Sequence, residues 1–388
     1  VDTAVISAAS FTANKEYLII GLINFQGAAG TTRTGARIVH GTTPTEFTDA
    51  NTDMDVSGVG SRPSAGWLFR FTQPGTTEDV KIQINSQGGS GTVTCHFATI
   101  IAIKLSDDFV ENTDFYWNEA ISDVTDAASL TDRASVTFTP NGSDRWLFIG
   151  QASWDVTGTS EFSLCIRDSV GPATYGDENG TNGWNGQSAA DLYNFLYGVA
   201  FVPTNASHTF SVQTISSTSD TVRSSRIIAL NLGKFAQSAD AYTGASDTPT
   251  QAAWETEASL SPTPNVTGNW IVFANAIASA ASGDDLFGRL QINPSGGGLA
   301  SNPNYGDDSP DQLSAATTRG NPFALATVLS LSSGAARDIK FDFENGVVGA
   351  GTVKGRGLFA FSVALATVPP IGKKIVKVNQ AVNRSAVW

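Results

Sequence analysis

At 388 residues with 41% hydrophobic side chains, the chain can fill two or three domain cores of roughly 150 residues each, which excludes a disordered protein. Its 36 acidic and 23 basic side chains give a net charge of −13, which argues against nucleic acid and anionic membranes as partners and reads as solubility. Gly, Ser, Thr, Asn and Asp abound while Met occurs once, a composition of short strands and many turns.

The first residues, VDTAVISAAS, show no charged stretch followed by an apolar core. No secretory signal is read there, though a mature secreted chain would look the same. No stretch nears ~18 uninterrupted apolar residues, so no membrane insertion is expected. From residue 11 onward the same five elements recur three times. The first copy runs FTANKEYLIIGLINF (11–25), GARIVH (35–40), a long polar loop, GWLFRFTQ (66–73), DVKIQIN (79–85) and FATIIAIKL (97–105). The second runs FTPNGSDRWLFIGQASW (138–154), FSLCIRD (162–168), a loop, YNFLYGVAFV (193–202), HTFSVQT (208–214) and SSRIIALNL (224–232). The third runs SPTPNVTGNWIVFANAIA (261–278), FGRLQIN (287–293), a loop, NPFALATVLSL (321–331), DIKFDFE (338–344) and GRGLFAFSV (355–363). Tyr17, Trp146 and Trp270 lead the opening strands, 129 and 124 residues apart, and the closing strand follows after 81, 79 and 86 residues. Elements kept in order at near-constant spacing are a triplicated unit.

In the first closing strand Ile101, Ile103 and Leu105 alternate with Ile100, Ala102 and Lys104. A strand apolar on most of both faces predicts the middle of a sheet, packed on one side and covered on the other. Between copies, DDFVENTDFYW (107–117) and GKFAQSADAYT (233–243) pair Phe109 with Tyr116 and Phe235 with Tyr242, and each predicts the first strand of the unit that follows. The first copy has no such lead. The chain ends in VPPIGKKIVKVNQAVNRSAVW (368–388), whose Lys373, Lys374, Lys377 and Arg384 meet no acidic residue. We expect this basic tail either to supply the missing strand to the next molecule or to stay disordered, with Lys373, Lys374 and Lys377 as candidate partner contacts. The expected fold is all-β: three tandem antiparallel β-sandwich domains of jelly-roll type at 1–106, 107–232 and 233–365, then an extended basic C-terminal tail at 366–388. An immunoglobulin-type sandwich is the second choice, and its Cys…Trp…Cys spacing is missing.

Signals for chemistry are few. His40, His96 and His208 fall at non-equivalent places, and none has a recognisable Ser, Cys or carboxylate partner. Cys95 and His96 are strand neighbours and face opposite ways. Carboxylates are plentiful but none is singled out as a glycosidase pair, so no catalytic residue is assigned and no enzyme is expected. The glycines of GVVGAGTVKG (346–355) join strand to strand and suit hairpins, with no helix N-terminus to hold a phosphate. Cys95 and Cys165 read as two reduced, mostly buried thiols. In DANTDMDVSG (49–58), Asp49, Asn51, Asp53 and Asp55 alternate like the start of a calcium loop. Met54 stands where that loop needs Gly, and Gly60 where it needs Glu, so both Ca2+ and a plain solvated edge stay open; no other cofactor is expected. The matching loops GDENGTNGWNG (176–186) and NYGDDSPDQ (304–312) are also long, polar and partly acidic, and are the first candidates for contact with a receptor, a glycan or a cation. Trp184 would stack on a sugar ring there or fold back on its own sandwich. Trp67, Trp146 and Trp270 lie in apolar runs and read as core, and the sequons at Asn141, Asn179, Asn205, Asn265 and Asn383 as composition.

The RIIALNL-type closing strand after a hairpin, with the triplicated unit and no visible signal peptide, resembles the tandem β-sandwich virion proteins of tailed bacteriophages: capsid decoration, head-fibre and tail-associated proteins. The resemblance covers most of residues 1–365 as an architecture and carries over no site residue. It implies a non-enzymatic structural protein that decorates or clamps the particle surface, assembled in the host cytoplasm into the virion. Its implied partners are other virion structural proteins and further copies of itself. The alternative is a receptor- or glycan-binding fibre or adhesin, extracellular or on a cell surface, that binds through Trp184 and the acidic loops.

Overall fold

The structure, a computed structural model, describes residues 1–27, 33–41, 45–47, 54–57, 64–75, 78–87, 92–156, 161–171, 173–176, 184–185, 191–217, 219–249, 253–279, 286–293, 304–306, 321–345, 351–363 and 377–386. Strands and two single 3-10 turns are its regular elements. The first group is β1 (Asp2–Ile6), β2 (Glu16–Gly27), β3 (Arg33–His40), β4 (Thr45–Glu46), β5 (Met54–Ser57), β6 (Ser64–Thr72), β7 (Val80–Gln87) and β8 (Val93–Lys104). The second is β9 (Phe115–Ala120), β10 (Val124–Thr125), β11 (Thr131–Phe138), β12 (Trp146–Val156), β13 (Glu161–Asp168), β14 (Thr174–Gly176), β15 (Trp184–Asn185), β16 (Asp191–Phe201), β17 (His208–Ser216) and β18 (Thr221–Asn231). The third is β19 (Ser238–Thr243), β20 (Glu255–Leu260), β21 (Gly268–Ser279), β22 (Leu286–Ile292), β23 (Asn304–Gly306), β24 (Asn321–Leu331), β25 (Ile339–Asn345) and β26 (Thr352–Ser362), and the chain ends on β27 (Lys377–Ala386).

The same two sheets form three times. In the second unit they are β9-β18-β12-β16 and β11-β17-β13-β14; in the third, β19-β26-β21-β24 and β20-β25-β22-β23. Counting a unit's eight main strands in chain order, the orders are 1-8-3-6 and 2-7-4-5, the antiparallel jelly roll. The first unit repeats the pattern as β27-β8-β2-β6 and β1-β7-β3-β5. Its strand 1 is therefore the last strand of the chain. β27 runs antiparallel along β8 from Lys377 opposite Ala102 to Ala386 opposite Val93. The tail strand thus sits on the first unit of its own chain, where the sequence reading looked to a neighbouring molecule or to disorder.

Residue pattern explains where strands start and what they bury. Before β12 the chain reverses at Gly142, which takes φ 75°, while Asn141 Oδ1 accepts the backbone N–H groups of Ser143 and Asp144 at 2.9 and 2.8 Å. Alternation then divides the side chains between two cores. Tyr17, Ile19, Ile23, Ala98, Ile100 and Ala102 join the cluster that fills the first and second sandwiches, with Phe148, Trp154, Ile227 and Ala229. Leu18, Ile20, Leu22, Ile101 and Ile103 point the other way and join Leu147, Ile149, Ile228 and Leu230 in a second cluster. That second cluster continues into the core of the third unit through Phe273, Phe323, Leu358 and Phe359. The closing strand is central and covered on both faces, as its sequence predicted, and what covers it is another unit. Trp67, Trp146 and Trp270 are buried, and neither Cys95 nor Cys165 forms a disulfide.

Candidate functional site

The closest contacts between the units bring together glycines, a buried arginine and paired strands. The sixth strands β6, β16 and β24 touch one another pairwise, so the three units surround a common axis. Between the first and second units the approach is close. A Cβ on Gly66 would lie 2.5 Å from the Leu196 Cβ, so only glycine lets β6 reach β16. Alongside, Asp55 of β5 pairs with Leu192 of β16, joining sheets of both units into one of ten strands. Arg226, fully buried on β18, lays its guanidinium 4.7 Å from the Phe69 ring centre of the first unit. The charge is held by Gln151 Oε1 and Ser224 Oγ at 3.0 and 3.2 Å and by Glu119 at 3.3 Å.

The junction of the second and third units is more polar. Gly198 N–H donates to Asn275 Oδ1 at 2.8 Å, and the Tyr197 hydroxyl donates to the Gly355 carbonyl at 2.5 Å. Gly355 takes φ 54°, and a Cβ there would come 3.0 Å from Gly176. Tyr175 and Tyr242 meet edge to face at 5.2 Å, and Arg145 pairs with Asp240. Burial pushes the Asp240 carboxyl above its ordinary value, against the pull of Arg145.

Each unit hands the chain on through an equivalent bond. Leu105 N–H donates to the Glu16 carbonyl, Leu232 N–H to that of Arg145 and Val363 N–H to that of Asn269, at 2.9, 2.8 and 2.7 Å. The two described connectors then share a core: Phe109 lies 5.6 Å from Phe235, which lies 4.6 Å from Phe361. The third hand-over leads to β27. Three units, two connectors and a returning strand close the chain into a ring.

The positions singled out in the sequence fall only partly within the described residues. Asp49, Asn51, Asp53, Lys373 and Lys374 lie outside the described residues. Asp55 falls on β5 between Gly35 and Leu192, Trp184 on β15 opposite Phe162, and Lys377 at the start of β27. Among the described residues, no three His, Cys, Asp or Glu side chains stand together as a metal site.

Sequence reading missed the partners of two histidines. His208 Nδ1 donates to the Asp168 carboxylate at 2.8 and 2.9 Å, and Nε2 lies 3.0 Å from both the hydroxyl and the carbonyl oxygen of Thr204. His40 Nδ1 meets Glu78 Oε2 at 2.5 Å. Carboxylate, imidazole and hydroxyl in line suggest a nucleophile relay. However, the His208 ring is only 2% exposed and lies parallel to Phe210, and both oxygens of Thr204 clasp one nitrogen. The group pins the turn before β17. Asp168 and His208 are forty residues apart on neighbouring strands, so no local motif could reveal them.

No family model matches the chain, and no curated protein matches it. Among solved structures it is similar to "The Triple Jelly Roll Fold and Turret Assembly in an Archaeal Virus", at 10% identity over 93% of this chain and 83% of that one, with a TM-score of 0.19. Sulfolobus Turreted Icosahedral Virus gives 10% identity over 92% and 82%, with a TM-score of 0.19. Infectious bursal disease virus Gt strain gives 11% over 97% and 80%, with a TM-score of 0.25. With TM-scores this low, none of the three superposes on the chain as a whole, and the jelly-roll assignment stands on the strand order itself.

Proposed function

We propose that the chain is a non-enzymatic structural protein of a virus particle, a single-chain counterpart of a trimer that decorates or clamps the particle surface. The observation that carries this reading is the ring: three jelly rolls around one axis, sealed by the chain's own last strand, with both faces of each closing strand committed to packing. Such a body offers three topologically equivalent outer surfaces from one polypeptide, which suits attachment at a site of threefold character. Buried polar groups such as Arg226, Asn275 and Tyr197 hold units together, and the His208 relay is a clamp. Quantitative mass spectrometry of density-purified particles, scaled to the major shell protein, tests the reading. Many copies per particle are expected. A handful would move the protein to a tail or receptor-binding role, and none would overturn the virion reading.

A further inference from the structure

The sequence alone reads the Asn-x-Ser/Thr sequons as composition; the structure adds where they stand. Asn141, Asn205 and Asn265 are exposed, in turns at one end of the second and third units. Asn141 lies in the turn between β11 and β12, and Asn265 in the equivalent turn between β20 and β21, five residues before Trp146 and Trp270 respectively. Each follows a buried proline, Pro140 or Pro264, and has an exposed hydroxyl residue two positions on, Ser143 or Thr267. Asn205, with Ser207 two positions on, lies in the turn between β16 and β17. Pairing of Trp146 with Phe201 brings this turn beside that of Asn141, and a Cβ on Gly142 would come 3.0 Å from the Asn205 Cβ. In the first unit the turn before β2 reads Asn14, Lys15, Glu16 and has no hydroxyl there. Asn383 lies within β27, along the β8 ladder, and Asn179 lies outside the described residues.

The bonding of these asparagines agrees with their placement. Asn141 Oδ1 accepts the backbone N–H groups of Ser143 and Asp144, while its NH2 has no partner among the described residues. Asn265 is held by its backbone, whose N–H donates to Gln237 Oε1 at 2.7 Å. Neither its side-chain amide nor that of Asn205 is hydrogen-bonded among the described residues. Val202, three residues before Asn205, is 44% exposed and Val266, next to Asn265, is 59% exposed; the C–H face of an attached sugar ring would cover them. We propose that Asn141, Asn205 and Asn265 are sites of N-linked glycosylation, clustered at one end of the second and third units. In the transfer the amide nitrogen bonds to the anomeric carbon of a lipid-linked oligosaccharide, the bond from that carbon to the lipid's phosphate oxygen breaks, and the amide gives up one proton. The signal has meaning on an exposed loop, a condition that these three asparagines meet and Asn383, within a strand, does not. Sugars on these turns keep that end of the ring in solvent, so a particle surface would meet the ring elsewhere; this consequence alone rests on the virion reading.

The test is peptide mapping by mass spectrometry of the full chain from its natural source. Peptides with Asn141, Asn205 and Asn265 are expected as glycopeptides that release sugar fragment ions, and the peptide with Asn383 is expected unmodified. Enzymatic removal of the glycans in 18O water should leave a labelled aspartate at each of the three positions. The full chain passed through the secretory route of a eukaryotic cell then separates the sites. Ser143→Ala, Ser207→Ala and Thr267→Val remove the hydroxyl and keep the asparagine, so each should lose the glycan at its own site alone, read as one step in mobility on a gel. Thermal melts of the same variants show whether each still folds. Three unmodified asparagines in the natural chain, sugar on Asn383 in their place, or glycans that persist in all three hydroxyl variants would each overturn the proposal.

Discussion

The first and second units share one strand order and complete it in opposite ways. In the second unit strand 1 follows almost at once: β9 begins eleven residues after β8 ends, along a connector tied down at every step. Lys15 and Lys104 hold Asp107 at 2.7 and 2.9 Å, Arg70 holds Glu16 and Glu111 at 2.6 Å each, and Phe109 packs beneath. The two lysines keep the Asp107 carboxyl below its ordinary value. In the first unit strand 1 arrives only when nearly the whole chain has been made. Equal topology therefore comes with unequal contact order, and the first sheet is the one that closes last. The difference locates the ring's weak point at β8–β27.

Removing residues 366–388 should break the comparison outright. The edge of β8 would lie bare from Val93 to Ala102, an apolar strand with unpaired backbone groups, so the shortened chain should melt well below the full one and self-associate through that edge. Thermal melts and sedimentation read both effects; unchanged melting with a single monomeric species would mean that β27 adds nothing to the first unit. The complementary experiment seals the seam. Arg384 lies opposite Cys95 on the ladder, so Arg384→Cys should oxidise to a disulfide within one chain, directly opposite residues being about 4.5–5.5 Å apart at Cα. A disulfide-linked dimer on a non-reducing gel would show instead that the strand crosses to a second copy.

Two strand glycines sharpen the contrast between a close interface and an open strand end. Gly66→Val must force β6 away from β16, because the added Cβ would sit 2.5 Å from Leu196 Cβ and 3.2 Å from its backbone nitrogen. A loss of about 3 kcal/mol is expected, the upper range for overpacking. Gly268→Val, at the start of β21 with nothing within 4 Å, should be neutral or slightly stabilising. Equal denaturation midpoints for the two variants would sink the close-approach argument. At the other junction, Asn275→Ala strands the buried Gly198 N–H and should cost about 1–3 kcal/mol, read from the same urea curves.

How much of this the sequence disclosed follows from which signals are local. Strands such as β2, β8 and β18 were legible because a near-continuous apolar run within eleven or twelve residues is a strong pattern. The strands at position 2, DTAVI, TDRASVTF and ETEASL, escaped notice because they are short or carry polar residues on both faces. The tail could be seen to complete the first copy, since that copy alone had no lead. Whether it did so within its own chain is a question of where the three units stand around their axis, and no spacing encodes that.

The smallest effect expected is at the second–third junction, and it depends on pH. Tyr175 packs against Phe201 at 4.8 Å and Tyr242 at 5.2 Å, and burial, aided by Asp168, pushes its phenol up to about 12. In the unfolded chain the same phenol ionises near pH 10. Below that value both forms keep the proton and the junction is intact. As pH rises from about 10 to about 12 the unfolded chain releases its proton first, so the contribution of Tyr175 to stability falls across that window. The ring is only partly buried, so the slope should be shallow. Tyr175→Phe has no proton to lose there, and its melting temperature should decline less steeply with alkali than that of the parent chain. Parallel curves would mean that solvent reaches the phenol, and that the second and third units part at this edge more readily than their shared core suggests.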